Sequence, residues 1–211
     1  MARAWLKFAG ALALLAAPAG AVFAQVHAPT ITVDAPPELF TGAEGGRFVH
    51  RASGYAFPDK LADMPRRKFF VYAPDDVQVN YTLNGGGNGD AWVDVFVYPA
   101  QRSVKDEAKA VEAELVRNFG GTPVAVQPPL PPSAKGAVGK WFEGKLRGRP
   151  MTTAYVIVKR GHWYILARGS SPVEAGSAGL ERLQAAIVTI DWRWDGKDGG
   201  VTAASARTAI H

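Results

Sequence analysis

The chain has 211 residues, with 24 Lys and Arg against 19 Asp and Glu, a formal charge of +5 and no cysteine. Without cysteine there is no disulfide, thiolate metal site, thiol nucleophile or lipid-accepting N-terminal Cys. The basic excess is small and spread along the chain, which excludes the concentrated basic surface of a nucleic-acid-binding protein.

The N-terminus reads as an address. Arg3 and Lys7 precede an apolar run from Phe8 to Ala17, Pro18 and Gly20 break any helix, and Val22-Phe23-Ala24 supplies small side chains at the positions signal peptidase tests. This predicts a secretory signal peptide over residues 1–24, cut after Ala24. The apolar run is about half the roughly 20 residues a membrane-spanning helix needs, so no transmembrane segment is expected after cleavage. The expected location is the periplasm or the outside of the cell, and two of the five net positive charges leave with the signal. What remains is the length of one domain.

Residues 25–46 carry scattered Pro and Gly with no sustained period and are expected to be a linker or N-terminal arm, with a short edge strand around Ile31 and Val33. Strands are predicted over Phe48–Arg51, Lys68–Ala73, Val77–Leu83 and Trp92–Tyr98. In the third, Val77, Val79 and Tyr81 alternate with Gln78, Asn80 and Thr82, the period of a half-buried strand. Pro74-Asp75-Asp76 is a turn, and the Gly-rich run 85–90 a hairpin loop. A helix follows, capped by Ser103, with Val104, Ala108, Val111, Leu115 and Phe119 on one face and Gly120-Gly121 as its stop.

A proline-rich connector (Gln127 to Pro132) leads to strands over Gly139–Leu146, Met151–Lys159 and His162–Arg168, joined by hairpins. A second helix begins near Pro172 or Ser177 and buries Leu180, Leu183, Ile187 and Ile190. The expected fold is α+β: an antiparallel sheet with two amphipathic helices packed on it, in the order βββ-α-βββ-α. The domain spans residues 47–195, and the tail 196–211 is expected to be disordered.

The run from Gly54-Tyr55-Ala56-Phe57-Pro58 through Trp92 to Pro99 resembles that of PsbP-like domains. So does the late hairpin Gly161-His162-Trp163-Tyr164, followed by a closing helix that ends at Trp192. The resemblance covers residues 46–194. It implies an exported or lumenal α+β domain that binds or assembles without catalysis, and it carries over no site residue.

Motifs for chemistry are sparse. The four histidines (His27, His50, His162 and His211) show neither HxH nor HExxH spacing, so neither metal nor cofactor is expected. The run Gly136–Trp141 fails as a phosphate loop at both Ala134 and Trp141. Arg147 and Arg149 lie at one hairpin turn, and Lys159 and Arg160 at another expected at the opposite end of the sheet. The candidates for ligand or partner contact are Trp92, Tyr98, Trp141, His162, Trp163, Arg147 and Arg149. The function expected is non-catalytic binding of an envelope protein or small ligand. The alternatives are a hydrolase or transferase assembled from Asp75, Asp76, Asp94 and His162, and an accessory subunit of an envelope complex.

Overall fold

A computed structural model describes residues 28–83, 90–124 and 130–196. The expected signal peptide, the glycines of the loop 85–90, part of the proline-rich connector and nearly all of the tail lie outside the described residues. Before the first helix the strands are β1 (Thr30–Thr32), β2 (Phe40–Ala43), β3 (Arg47–His50), β4 (Ala56–Phe57), β5 (Lys60–Leu61), β6 (Met64–Ala73), β7 (Asp76–Thr82) and β8 (Trp92–Pro99). Helix α1 (Val104–Phe119) is followed by β9 (Thr122–Val124), β10 (Val138–Leu146), β11 (Arg149–Arg160), β12 (Trp163–Pro172) and helix α2 (Gly176–Thr189).

The main sheet runs β1-β6-β7-β8-β12-β11-β10-β9, with β5 on β6, and its pairs are antiparallel. β2, β3 and β4 form a separate small sheet. The long elements keep the expected order, with three strands, a helix, three strands and a helix. The short strands β1 to β5 and β9 add to it. Within the stretch expected to be a linker or arm, β1 lies at the sheet edge where a short strand around Ile31 was expected, and β2 is an element the sequence did not indicate. Phe40 is buried there against Phe57 and Phe69, which holds the stretch to the core.

Local chemistry explains the elements. Ser103 Oγ accepts from the Asp106 amide at 3.2 Å, and Gly120 closes α1 in the left-handed region at φ 57°. Arg147 and Gly148 both have positive φ, 52° and 84°, as the two-residue turn between β10 and β11 requires. That turn and the one at Gly161-His162 cap opposite ends of β11, as expected.

The helices lie on opposite faces. On one, Val77, Val79, Tyr81, Val93, Val95, Val97, Ile165 and Ala167 pack with Leu183, Ala186 and Ile187 of α2 and with Phe40 and Phe57 of the small sheet. On the other, Ala108, Val111 and Leu115 of α1 pack on Phe142, Tyr155, Ile157, Tyr164 and Leu166. On the polar side of β7, Gln78 and Thr82 are nonetheless buried, Gln78 accepting from the Tyr72 hydroxyl and Thr82 donating to the Ala91 carbonyl, while Asn80 is half-buried. Among the described residues no helix is long and apolar enough to cross a membrane.

Candidate functional site: a polar row across the sheet

Residues directly opposite in an antiparallel pair share a face. The register places Asn80 opposite Asp94, Asp94 opposite Arg168, Arg168 opposite Tyr155, and Tyr155 opposite Lys140. A row of polar side chains thus crosses five strands on the face that carries α1. The helix answers the far half of the row. Glu112 accepts from Tyr155 at 2.6 Å and from Lys140 at 2.8 Å, and Glu114 accepts from Arg168 at 2.9 Å. Burial works to raise the Glu112 carboxyl, but these two donors prevail and hold it below its ordinary value.

The near half of the row centres on Asp94, which is only 5% exposed. Asn80 Nδ2 donates to Asp94 Oδ1 at 2.8 Å, and the Gln78 and Trp92 side chains also donate to this carboxylate. Gln78 is fixed in turn by the Tyr72 hydroxyl, which donates to its Oε1 at 2.7 Å. Burial pushes the Asp94 carboxyl up, against the pull of Arg168 and the three donors. The Arg168 guanidinium lies 5.2 Å from the Phe96 ring centroid, within cation–π range. No buried side-chain polar atom among the described residues lacks a partner.

Helix α1 lies across β10 and β11, so the half of this face over β6, β7 and β8 keeps a different surface. Phe70, Tyr72, Asn80, Trp92 and Phe96 are half-buried there. Ile31 of β1, opposite Phe70 in register, is 57% exposed. The result is a floor of amide, carboxylate and guanidinium groups framed by partly uncovered aromatic rings.

The expected candidates divide among several places. Trp92 and Tyr98 belong to this face, with the Tyr98 hydroxyl donating to Glu107 at 3.0 Å. Trp141 and Trp163 point the other way and are buried in the core with α2. Aromatic residues spaced evenly along strands report core packing as readily as binding, and only the register assigns a face. His162 is exposed at the β11–β12 turn, roughly 20 Å along the strand from the level of Asp94 at about 3.3 Å per residue. Arg147 is exposed at its turn, and Arg149 is paired with Glu174. The enzyme alternative needed His162 and the carboxylates in one cleft. Asp94 instead has amide and indole donors around it. Among the described residues no group of three His, Asp or Glu gathers to hold a metal ion.

Sequence reasoning missed the Tyr72–Gln78–Asn80–Asp94–Arg168 network and the role of His50. His50 is fully buried, with Nδ1 2.9 Å from Ser53 Oγ and Nε2 2.9 Å from the Pro74 carbonyl oxygen. A carbonyl only accepts, so Nε2 carries the proton and Nδ1 takes the hydroxyl hydrogen of Ser53. The ring ties the small sheet to the β6–β7 turn. A separate hollow of about 420 Å3 opens beside β1, lined by Thr30, Thr32, Val33, Pro36, Leu39 and Val71 among others. It contains none of the expected candidates.

No protein-family model matches the chain, and a search of curated proteins finds no match. Among solved structures, the chain is similar to LpqN, described as involved in cell envelope biogenesis of Mycobacterium tuberculosis. The identity is 12% and the TM-score 0.34, with 80% of this chain and 84% of that chain covered.

Proposed function

We propose that this chain is an exported, non-catalytic protein that binds a ligand or protein partner at the cell envelope, through the half-covered face over β6, β7 and β8. The observation that carries the reading is Asp94, a carboxylate sunk into a sheet face among partly uncovered aromatic rings. Burying a carboxylate, two amides and a guanidinium where valines would pack costs free energy. Groups fixed in this way beside apolar surface are what recognition of a ligand requires. The address comes from the N-terminal pattern of Arg3, Lys7 and the apolar run to Ala17. The PsbP-like resemblance belongs to this proposal, because it too implies binding or assembly.

A photo-crosslinking side chain placed at Phe70 tests the face in living cells. Irradiation is expected to give a discrete adduct at position 70 and none at Val188, which is exposed on α2 on the opposite side of the sheet. Equal adducts at both positions, or none at position 70, overturn the reading.

A further inference from the structure

We infer that the ligand of this face is a neutral saccharide, seated over Asn80 and Arg168 with a ring face against Trp92. The inference rests on the binding reading above and names the chemistry of that same face.

The donors and acceptors are of the kind a sugar uses. Asn80 spends one N–H on Asp94, which leaves its carbonyl oxygen and a second N–H. Arg168 has five N–H groups in a planar fork, and Glu114 accepts from one of its terminal nitrogens. Asn80, Asp94 and Arg168 are consecutive in one cross-strand row, so the amide and the guanidinium flank a shared carboxylate. Hydroxyls on opposite edges of a pyranose ring, each both donor and acceptor, match an amide and a guanidinium that stand two strands apart, roughly 9–10 Å at the backbone. A phosphate or carboxylate ligand would meet Asp94 and Glu114 and be repelled. An isolated cation would meet Arg168.

The aromatic rings supply the other half of sugar recognition, an apolar platform for the C–H face of a pyranose. Trp92 is two residues from Asp94 on the same strand and therefore on the same face. Its indole N–H is spent on Asp94, which fixes the ring. Tyr72 is held likewise through Gln78. Groups locked by one another before the ligand arrives lose little entropy on binding. The mixed surface, with rings at its margin and planar polar groups between them, fits a polyhydroxylated ring better than an all-apolar ligand, which would strand Asn80 and Arg168 without water.

The test uses the chain as purified after export, with maltotriose, cellotriose and chitotriose as probes and Trp fluorescence and NMR shifts as readouts. At least one trisaccharide is expected to bind saturably and to shift resonances of residues 70–72, 78–80 and 92–96. Trp92→Leu and Asn80→Ser should each weaken binding about tenfold or more in protein whose NMR spectrum shows it still folded, with the lower thermal stability that losing a donor to buried Asp94 entails, and Val188→Ser should leave binding unchanged. Binding should persist in 0.5 M salt, since no ion pair with the ligand is involved. Glycerol, hydroxylated but ringless, should leave the spectra unchanged. No binding by any of the three sugars, binding indifferent to both variants, or an equal response to glycerol overturns the proposal. An adduct at position 70 in cells together with failure of all three sugars would overturn the saccharide and leave the binding face standing. Failure of both experiments would remove both.

Discussion

Residue-scale chemistry in this protein is governed by which polar groups are buried and what they meet. His50 is the sharpest case. Burial holds its imidazole below the ordinary histidine value, against the opposing pull of the Pro74 carbonyl and Asp75. The unfolded chain therefore takes up this proton first, and the stability due to neutral His50 is full above about pH 6.5 and lost as pH falls toward the folded value. Asp76, two residues beyond Pro74, works in the opposite direction. Its carboxyl is pushed up to about 6 by burial and then by the neighbouring Asp75 charge. The folded state thus takes up that proton before the unfolded one, and this contribution falls as pH rises. A difference between proteins separates the two effects. The destabilisation caused by His50→Gln is expected to be largest at pH 7.5 and to shrink by pH 5.5, measured by urea unfolding at each pH. A gap that does not change with pH would show that the ring is not held neutral. Nothing near His50 in sequence announces this, because its acceptor on Pro74 lies 24 residues away.

At the scale of elements, α1 was legible in full and its seat was not. Its cap at Ser103, its apolar stripe and its stop at Gly120 all follow from local rules, and each is found in place. Which face of which strands it covers depends on pairing that no local pattern encodes. The seat is held close at its C-terminal end by a glycine in β10. A Cβ at Gly144 would stand 2.5 Å from the Phe119 carbonyl oxygen and 3.1 Å from Gly121 Cα, both backbone atoms that cannot rotate away. Gly144→Ala is therefore expected to push the end of α1 off the sheet at a cost of about 1–3 kcal/mol, the usual scale for overpacking. Thermal or urea unfolding of the variant checks the cost, and a change below about 0.5 kcal/mol, within the range of ordinary surface substitutions, would mean that the helix end yields freely. The aromatic strand residues show the same division. Trp92 and Trp141 look alike in sequence, each on a predicted strand, yet the register places the first at a half-covered face and the second in the core.

At the scale of the whole molecule, arginines hold distant segments together through backbone carbonyls. Arg160, at the end of β11, donates to Trp192 O at 2.9 Å, Lys135 O at 3.1 Å and Ser133 O at 3.3 Å. It joins the chain beyond α2 and the turn before β10 to the sheet. Arg66 does the same for the small sheet, donating to the Phe57, Pro58 and Gly46 carbonyls while stacking on Phe48 at 4.4 Å. Nothing in the sequence marks these arginines as ties, since charge alone does not reveal a carbonyl partner. Arg160→Met keeps the apolar stem and deletes the fork. Amide exchange at residues 133–136 and 190–194 is expected to speed up, with a loss of about 1–2 kcal/mol in global stability. Unchanged exchange in both segments would show that they are held by packing alone.

The sequence by itself determined the periodic features: the alternation of the long strands, the caps and stripe of α1, the two-residue turns and the absence of cysteine chemistry. These are local, set by backbone sterics and by side chains within a few residues of one another. Only the tertiary structure decided that the two helices take opposite faces. The same holds for the chain around Phe40, which is core rather than arm, and for Asn80, Asp94 and Arg168, which stand in one row. Each of those depends on pairing between strands far apart in sequence, where a shift of one residue would turn every side chain to the other face.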